Sequence, residues 1–129
     1  MRNSRASLAA VAGLALAAAL GSSAARAQPA DVAAGADVFQ DRCSECHVLN
    51  GVGQGPNLVG VVGRKAGTVP GFDYTPALKA SGLTWTPANI DRFLSGPGKL
   101  VPGTAMSIVV SNPADRRQVI AYLASLPGQ

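Results

Sequence analysis

Cys43-Ser44-Glu45-Cys46-His47 is the stretch on which the reading of this chain turns. It has the C-x-x-C-H spacing of a c-type haem attachment site. Two intervening residues on a helical turn separate the thiols so that they can add across the two vinyl groups of one porphyrin. The next residue, His47, then lies under the ring, where an imidazole nitrogen reaches the iron. Three other readings fail on the rest of the sequence. A thioredoxin-like redox pair needs a βαβ setting, and no such pattern surrounds the motif. A structural disulfide here would close almost no loop and stabilise little. A zinc site needs a fourth ligand, and the chain's 2 Cys and 1 His are all within this motif. One covalent haem c, with its iron, is the cofactor expected.

The second axial position calls for another soft ligand, usually His or Met. No second His exists. Apart from Met1, the only methionine is Met106, 59 residues after His47. It ends the segment Val101-Pro102-Gly103-Thr104-Ala105-Met106, a loop rather than a helix face. A lone Met can also be a gap-filler in a core, but its place in a loop favours iron ligation. Iron with both axial positions filled has no open site for oxygen or peroxide. Electron transfer is then the chemistry expected, not catalysis, and the neutral thioether raises the potential.

The first 27 residues read as a leader. Arg2 and Arg5 form a positive start, Leu8 to Leu20 is an apolar run of 13 residues, and Ala25-Arg26-Ala27 supplies an A-x-A cleavage site. That is a secretory signal peptide, too short in its apolar part to span a bilayer. The domain proper is then 28–129, exported to the periplasm. The formal charge of +4 includes Arg2, Arg5 and Arg26, so the mature segment is only about +1, with 8 basic against 7 acidic residues. Nucleic-acid binding is not supported by that balance.

Punctuation along the mature segment predicts about four short helices and long loops. Asp31 is the expected N-cap of a helix from about Val32 to Cys43, with Val32, Gly35, Phe39 and Cys43 on one face. Residues 48–74 are Gly-rich and irregular, which asks for a central scaffold. Thr75-Pro76, Thr86-Pro87 and Asn112-Pro113 each open a further helix, since Pro after a capping residue is a start signal. Gly82 closes the first of these and Gly96-Pro97 the second. Val119, Ile120, Tyr122, Leu123 and Leu126 form the buried side of the last. The stretch from Lys99 to Ser111 is expected to be loop.

From Gly35 to about Leu126 the chain resembles the class I cytochromes c, in particular the mitochondrial cytochrome c and bacterial cytochrome c2 branch. The resemblance rests on Gly35-x-x-x-Phe39, the attachment motif, Gly55-Pro56-Asn57-Leu58, Gly63-Arg64-Lys65 and Pro70-Gly71-Phe72-x-Tyr74-Thr75. It continues through Gly82-Leu83-Thr84-Trp85, Pro102-Gly103-Thr104-x-Met106 and Ile120-Ala121-Tyr122-Leu123, in the family's order. It implies an all-α cytochrome c fold wrapped around one covalently bound haem. Gly35 and Phe39 would meet the last helix near Val119 and Tyr122. The Pro56 carbonyl would accept the His47 ring N–H, a bond that orients the ligand. Arg64, Tyr74 and Trp85 resemble groups that hydrogen-bond or neutralise the haem propionates. Thr104 resembles the residue beside the methionine that helps hold a propionate or water. Cys43 and Cys46 carry the haem, and His47 and Met106 bind its iron.

Departures from the family matter as well. The loop from His47 to Pro56 is shorter than the mitochondrial one by three residues. Leu78 stands where the family usually has Asn, and Phe93 where it usually has Tyr. The ring of lysines around the haem edge is largely missing: Asp37, Gly98, Ala105 and Asn112-Pro113 occupy such positions, while Arg42 and Lys99 remain. Docking led by an apolar edge around Val48, Ile108 and Val109 is expected instead of strong electrostatic steering. The function implied is a soluble, monomeric, single-haem electron carrier. Its partners would be a quinol-cytochrome c reductase, a terminal oxidase or a periplasmic dehydrogenase. The alternative is a dedicated electron-accepting subunit of such a dehydrogenase.

Overall fold

A computed structural model describes residues 28–51 and 53–128. The expected leader lies outside the described residues. Among the described residues five helices follow one another: α1 (Pro29–Arg42), α2 (Pro76–Ala80), α3 (Pro87–Ser95), α4 (Pro97–Leu100) and α5 (Pro113–Ser125). Among the described residues no strand forms, and Lys65 and Thr84 make one isolated antiparallel bridge. The all-α expectation holds.

Every helix begins on a proline, whose fixed φ suits a first turn and whose missing N–H would have been unpaired there. Thr75, Thr86 and Asn112 cap α2, α3 and α5, their side-chain oxygens accepting from the Leu78, Asn89 and Ala114 amides at 3.3, 3.2 and 2.9 Å. Two boundaries differ from the sequence reading. Helix α1 starts at Pro29, with Gln28 at the cap position, so Asp31 sits in the first turn instead of capping. Its carboxylate is still well placed there against the helix dipole. The second difference is α4, which makes five helices where four were expected. Gly96-Pro97 does end α3, but Gly96 is extended (φ 178°) and delivers Pro97 to the first position of a new four-residue helix. Lys99 therefore lies on α4 and not in a loop.

The core gathers Phe39, Val61, Ile90, Leu94, Val110, Val119, Ile120 and Leu123. Helix α1 crosses α5 closely at Gly35. A Cβ there would collide with the Gln118 carbonyl and stand 2.8 Å from the Tyr122 Cβ. One turn further, the Phe39 and Tyr122 rings meet with centroids 5.5 Å apart. Helix α3 joins through Arg116, whose Nε donates to Asp91 Oδ1 at 2.7 Å and whose Nη1 donates to the Val110 and Ser111 carbonyls, both at 2.9 Å. That arginine ties α5 to α3 and to the segment after Met106.

Gly35→Ala tests the crossing. Alanine gains about 1 kcal/mol of helix propensity, but its methyl meets a backbone carbonyl that has no rotamer to escape into. The expected net result is a loss of about 1–3 kcal/mol, the range for overpacking, read by denaturant unfolding of the holoprotein.

Candidate haem site

A cavity of about 500 Å³ opens between the helices and the long loops. Cys43, Cys46 and His47 reach it from the end of α1 and the turn after it. Pro56 and Arg64 line it from the next loop, Tyr74 from just before α2, and Trp85 from just before α3. Thr104 and Met106 line it from the loop between α4 and α5. The structure thus brings all of the sequence-derived site residues to one cavity. Its remaining wall is largely apolar, with Leu58, Val61, Ile90, Leu94, Val119 and Leu123.

The attachment motif continues the helical turn of α1. The Cys43 amide donates to the Phe39 carbonyl at 2.9 Å and the His47 amide to the Cys43 carbonyl at 2.8 Å. Both thiols are free and half-buried. Burial pushes the Cys43 thiol up, against a smaller downward pull from Arg42 and with a further upward push from Cys46. A thiol built for disulfide exchange is shifted the other way. The His47 Nδ1 lies 2.8 Å from the Pro56 carbonyl oxygen. A carbonyl only accepts, so Nδ1 carries the proton and Nε2 keeps its lone pair for a metal.

Arg64 is half-buried, and burial lowers its pKa, an effect that Tyr74 partly opposes. Its Nη1 and Nη2 donate to the Val59 and Asn57 carbonyls at 3.0 and 2.8 Å. Among the described residues no carboxylate pairs with it, so its charge suits an anionic group of the ligand. Tyr74 is buried, and desolvation raises its phenol pKa, against lowering by the Val69 backbone and by Arg64. Trp85 is half-buried and packs edge-on against Phe93, with ring centroids 4.9 Å apart. Thr104 and Met106 are both half-buried, and Met106 packs against the core.

Gly55, which lines the cavity, and Asn57, close by in the chain, were quoted in the sequence only as part of a motif. The Gly55 amide donates to the Cys46 carbonyl at 2.8 Å. A Cβ on Gly55 would lie 2.5 Å from Cε1 and 2.6 Å from Nδ1 of His47. The Asn57 side chain donates to the Leu49 carbonyl at 2.9 Å and accepts from the Val59 amide at 2.7 Å. The second of these is an Asx turn, and an Asn following Gly-Pro is the signal that could have found it.

These residues fit a haem: apolar walls, two thiols, an oriented imidazole, a thioether and a half-buried cation lacking an acidic partner. Residues 32–127 match the family model described as cytochrome c. The chain belongs to the cytochrome c family. It is 47% identical over 103 residues to the cytochrome c2 of Rhodomicrobium vannielii, a match covering 77% of this chain and 82% of that one. It is 46% identical to the cytochrome c-type cyt cy of Rhodobacter capsulatus, covering 75% of this chain but 50% of that longer protein. The solved structure of cytochrome cH from Methylobacterium extorquens superposes with a TM-score of 0.71 at 44% identity, covering 74% of this chain and 98% of that one. Members of this family hold covalent haem c and carry electrons; they are not enzymes, and both statements apply to this chain.

Gly55→Ala should disturb the site while leaving Cys43, Cys46, His47 and Met106 themselves unsubstituted. The added methyl must displace the His47 ring or the Pro56 turn, at about 1–3 kcal/mol by analogy with overpacking. The expected outcome is a shifted midpoint potential and lower unfolding stability of the holoprotein, measured by redox titration and denaturant unfolding.

Proposed function

We propose that the mature segment 28–129 is a soluble, monomeric, single-haem electron carrier of the periplasm. Cys43 and Cys46 hold the haem, and His47 and Met106 are its axial ligands. The observation that carries this reading is that the one His and the one Met of the mature segment line the same cavity as the two cysteines. Bound haem c supplies a one-electron Fe(III)/Fe(II) couple. The chain's own part is to fill both axial positions, exclude water with its apolar walls and keep the pocket unchanged between oxidation states. Pro56 holds the His47 ring, Arg64 faces a propionate, and Tyr74, Trp85 and Thr104 supply further polar contacts around the propionates.

Export to the periplasm is supported by the leader pattern, with cleavage after Ala27 leaving Gln28, the cap residue of α1, at the new terminus. Among the described residues no helix is long and apolar enough to cross a membrane. A quinol-cytochrome c reductase, a terminal oxidase or a periplasmic dehydrogenase would supply and accept the electron.

The docking face supports an apolar contact. Ile108 and Val109 are each 48% exposed, and Ile108 also lines the cavity. Val48 is half-buried, so it contributes less to this edge than the sequence suggested. Asp37, Gly98, Ala105, Asn112 and Pro113 are all exposed, so the missing lysines are missing from real surface.

Met106→Ala tests the ligand set. The weak red sulfur-to-iron band of the ferric protein should vanish, and the potential should fall on the order of 0.1 V or more of the roughly 0.8 V that axial ligands span. A ferric wild type without that band would count against Met106. Salt tests the docking face: screening of exposed charges between low and physiological ionic strength should change reduction by a partner enzyme by no more than about threefold, since an apolar contact does not depend on them. A steep fall with salt would mean that steering by the remaining cations dominates.

A further inference from the structure

Arg64 makes contacts that a role at a propionate does not require. Its Nη1 and Nη2 hold the carbonyls of Val59 and Asn57 at 3.0 and 2.8 Å. Asn57 is tied back in turn, to the Leu49 carbonyl and the Val59 amide at 2.9 and 2.7 Å. The carbonyl one residue earlier is that of Pro56, 2.8 Å from the His47 Nδ1. Arg64 also lines both the haem cavity and a second groove, of about 540 Å³, bordered by Val59, Val69 and Leu126. Arg64 therefore borders the cavity while its guanidinium holds the turn that carries the His47 acceptor.

We propose that Arg64 is a positioning residue for His47: it clamps the 56–59 turn through two carbonyls and so fixes the acceptor that orients the imidazole. The inference rests on the reading of His47 as an iron ligand. The physical ground is the shape of the guanidinium. Its planar fork sends donors in fixed directions to two separate carbonyls, whereas an ammonium is a point charge on a flexible stem. Lysine at this position keeps a positive charge toward a propionate and loses the clamp. The two roles can therefore be separated.

The test compares wild-type holoprotein with Arg64→Lys in the ferrous state by NMR. It reads the exchange of the His47 Nδ1 proton with solvent deuterium, alongside the pH dependence of the midpoint potential. The clamp predicts that the pH dependence stays close to wild type while Nδ1 exchange accelerates about ten- to hundredfold, the change expected for losing one hydrogen bond to a charged donor. Arg64→Gln, which keeps much of the reach without the charge, serves if the lysine variant fails to assemble, and exchange should accelerate there too. Wild-type exchange in a variant that assembles overturns the clamp and leaves Arg64 a propionate partner only. Ferric wild type without hyperfine-shifted His47 ring protons would remove the ligand reading itself, and the clamp with it.

Discussion

The approach of α1 to α5 at Gly35 is the contact on which the site depends. Helix packing distance is set by the side chains at the crossing, and here there is none on one partner. The Gln118 carbonyl and the Tyr122 Cβ occupy the space a methyl would need. Two turns beyond that crossing, α1 delivers Cys43 to the cavity, and from the other helix come Val119 and Leu123, which belong to both the core and the cavity wall. Close packing transmits a displacement instead of absorbing it. Any side chain that pushed the two backbones apart would therefore move the attachment site away from the wall it faces.

The rest of the cavity is made of loops, and these are held in a different way. Among the described residues, 43–75 contain no helix and only the isolated bridge of Lys65 with Thr84, flanked by the bonds of Ala66 to Leu83 and Trp85 to Arg64; elsewhere backbone groups find partners one at a time, as Gly55 to Cys46 and Val61 to Leu58. Such bonds fix a path without supplying a core. A domain of about 100 residues buries a modest share of its surface, and this one directs Leu58, Val61, Ile90 and Leu94 at a cavity. With haem c bound, that apolar area is removed from water at roughly 25 cal/mol per Å². Cofactor and loops are consequently one stabilising unit. The Gly-rich stretch, which forms no helix among the described residues, gains an apolar body to wrap.

Much of this was legible in the sequence because the chemistry is concentrated. Five consecutive residues carry both cysteines and the one histidine, and Pro after Thr or Asn marks three helix starts, each with an observed cap. Three features were not legible. Helix α4 hides because Gly96-Pro97 reads as a stop, while the same proline is also a start. The early beginning of α1 hides because Asp31 is a better capping residue than Gln28, but a proline at position 29 outweighs it. The roles of Gly55 and Asn57 hide because they are made of backbone approach and tertiary hydrogen bonds, which periodicity does not encode. Arg116 is the same case at larger scale. A surface-looking Arg-Arg pair conceals one side chain, 12% exposed, that joins two helices and a loop.

Leu78 and Phe93 are apolar where the resemblance leads one to expect Asn and Tyr. Both line the cavity, and among the described residues no buried side-chain nitrogen or oxygen lacks a partner. Removing the two groups has therefore stranded nothing, which is the circumstance in which such a loss costs little stability. The space is used by packing: Phe93 meets the Trp85 ring edge-on. The segment around Met106 is held through its backbone on either side. Before Met106, the Thr104 amide donates to the Val101 carbonyl at 3.0 Å, and Gly103, at φ 92°, allows the turn and passes α2 where an added Cβ would lie 3.0 Å from the Ala77 Cβ. After it, the Val110 amide donates to the Leu94 carbonyl at 2.8 Å, and Arg116 holds the Val110 carbonyl from α5. The methionine segment is thus tied before Met106 to the end of α4 and after it to α3 and α5, so these flanking backbone bonds hold Met106 in place.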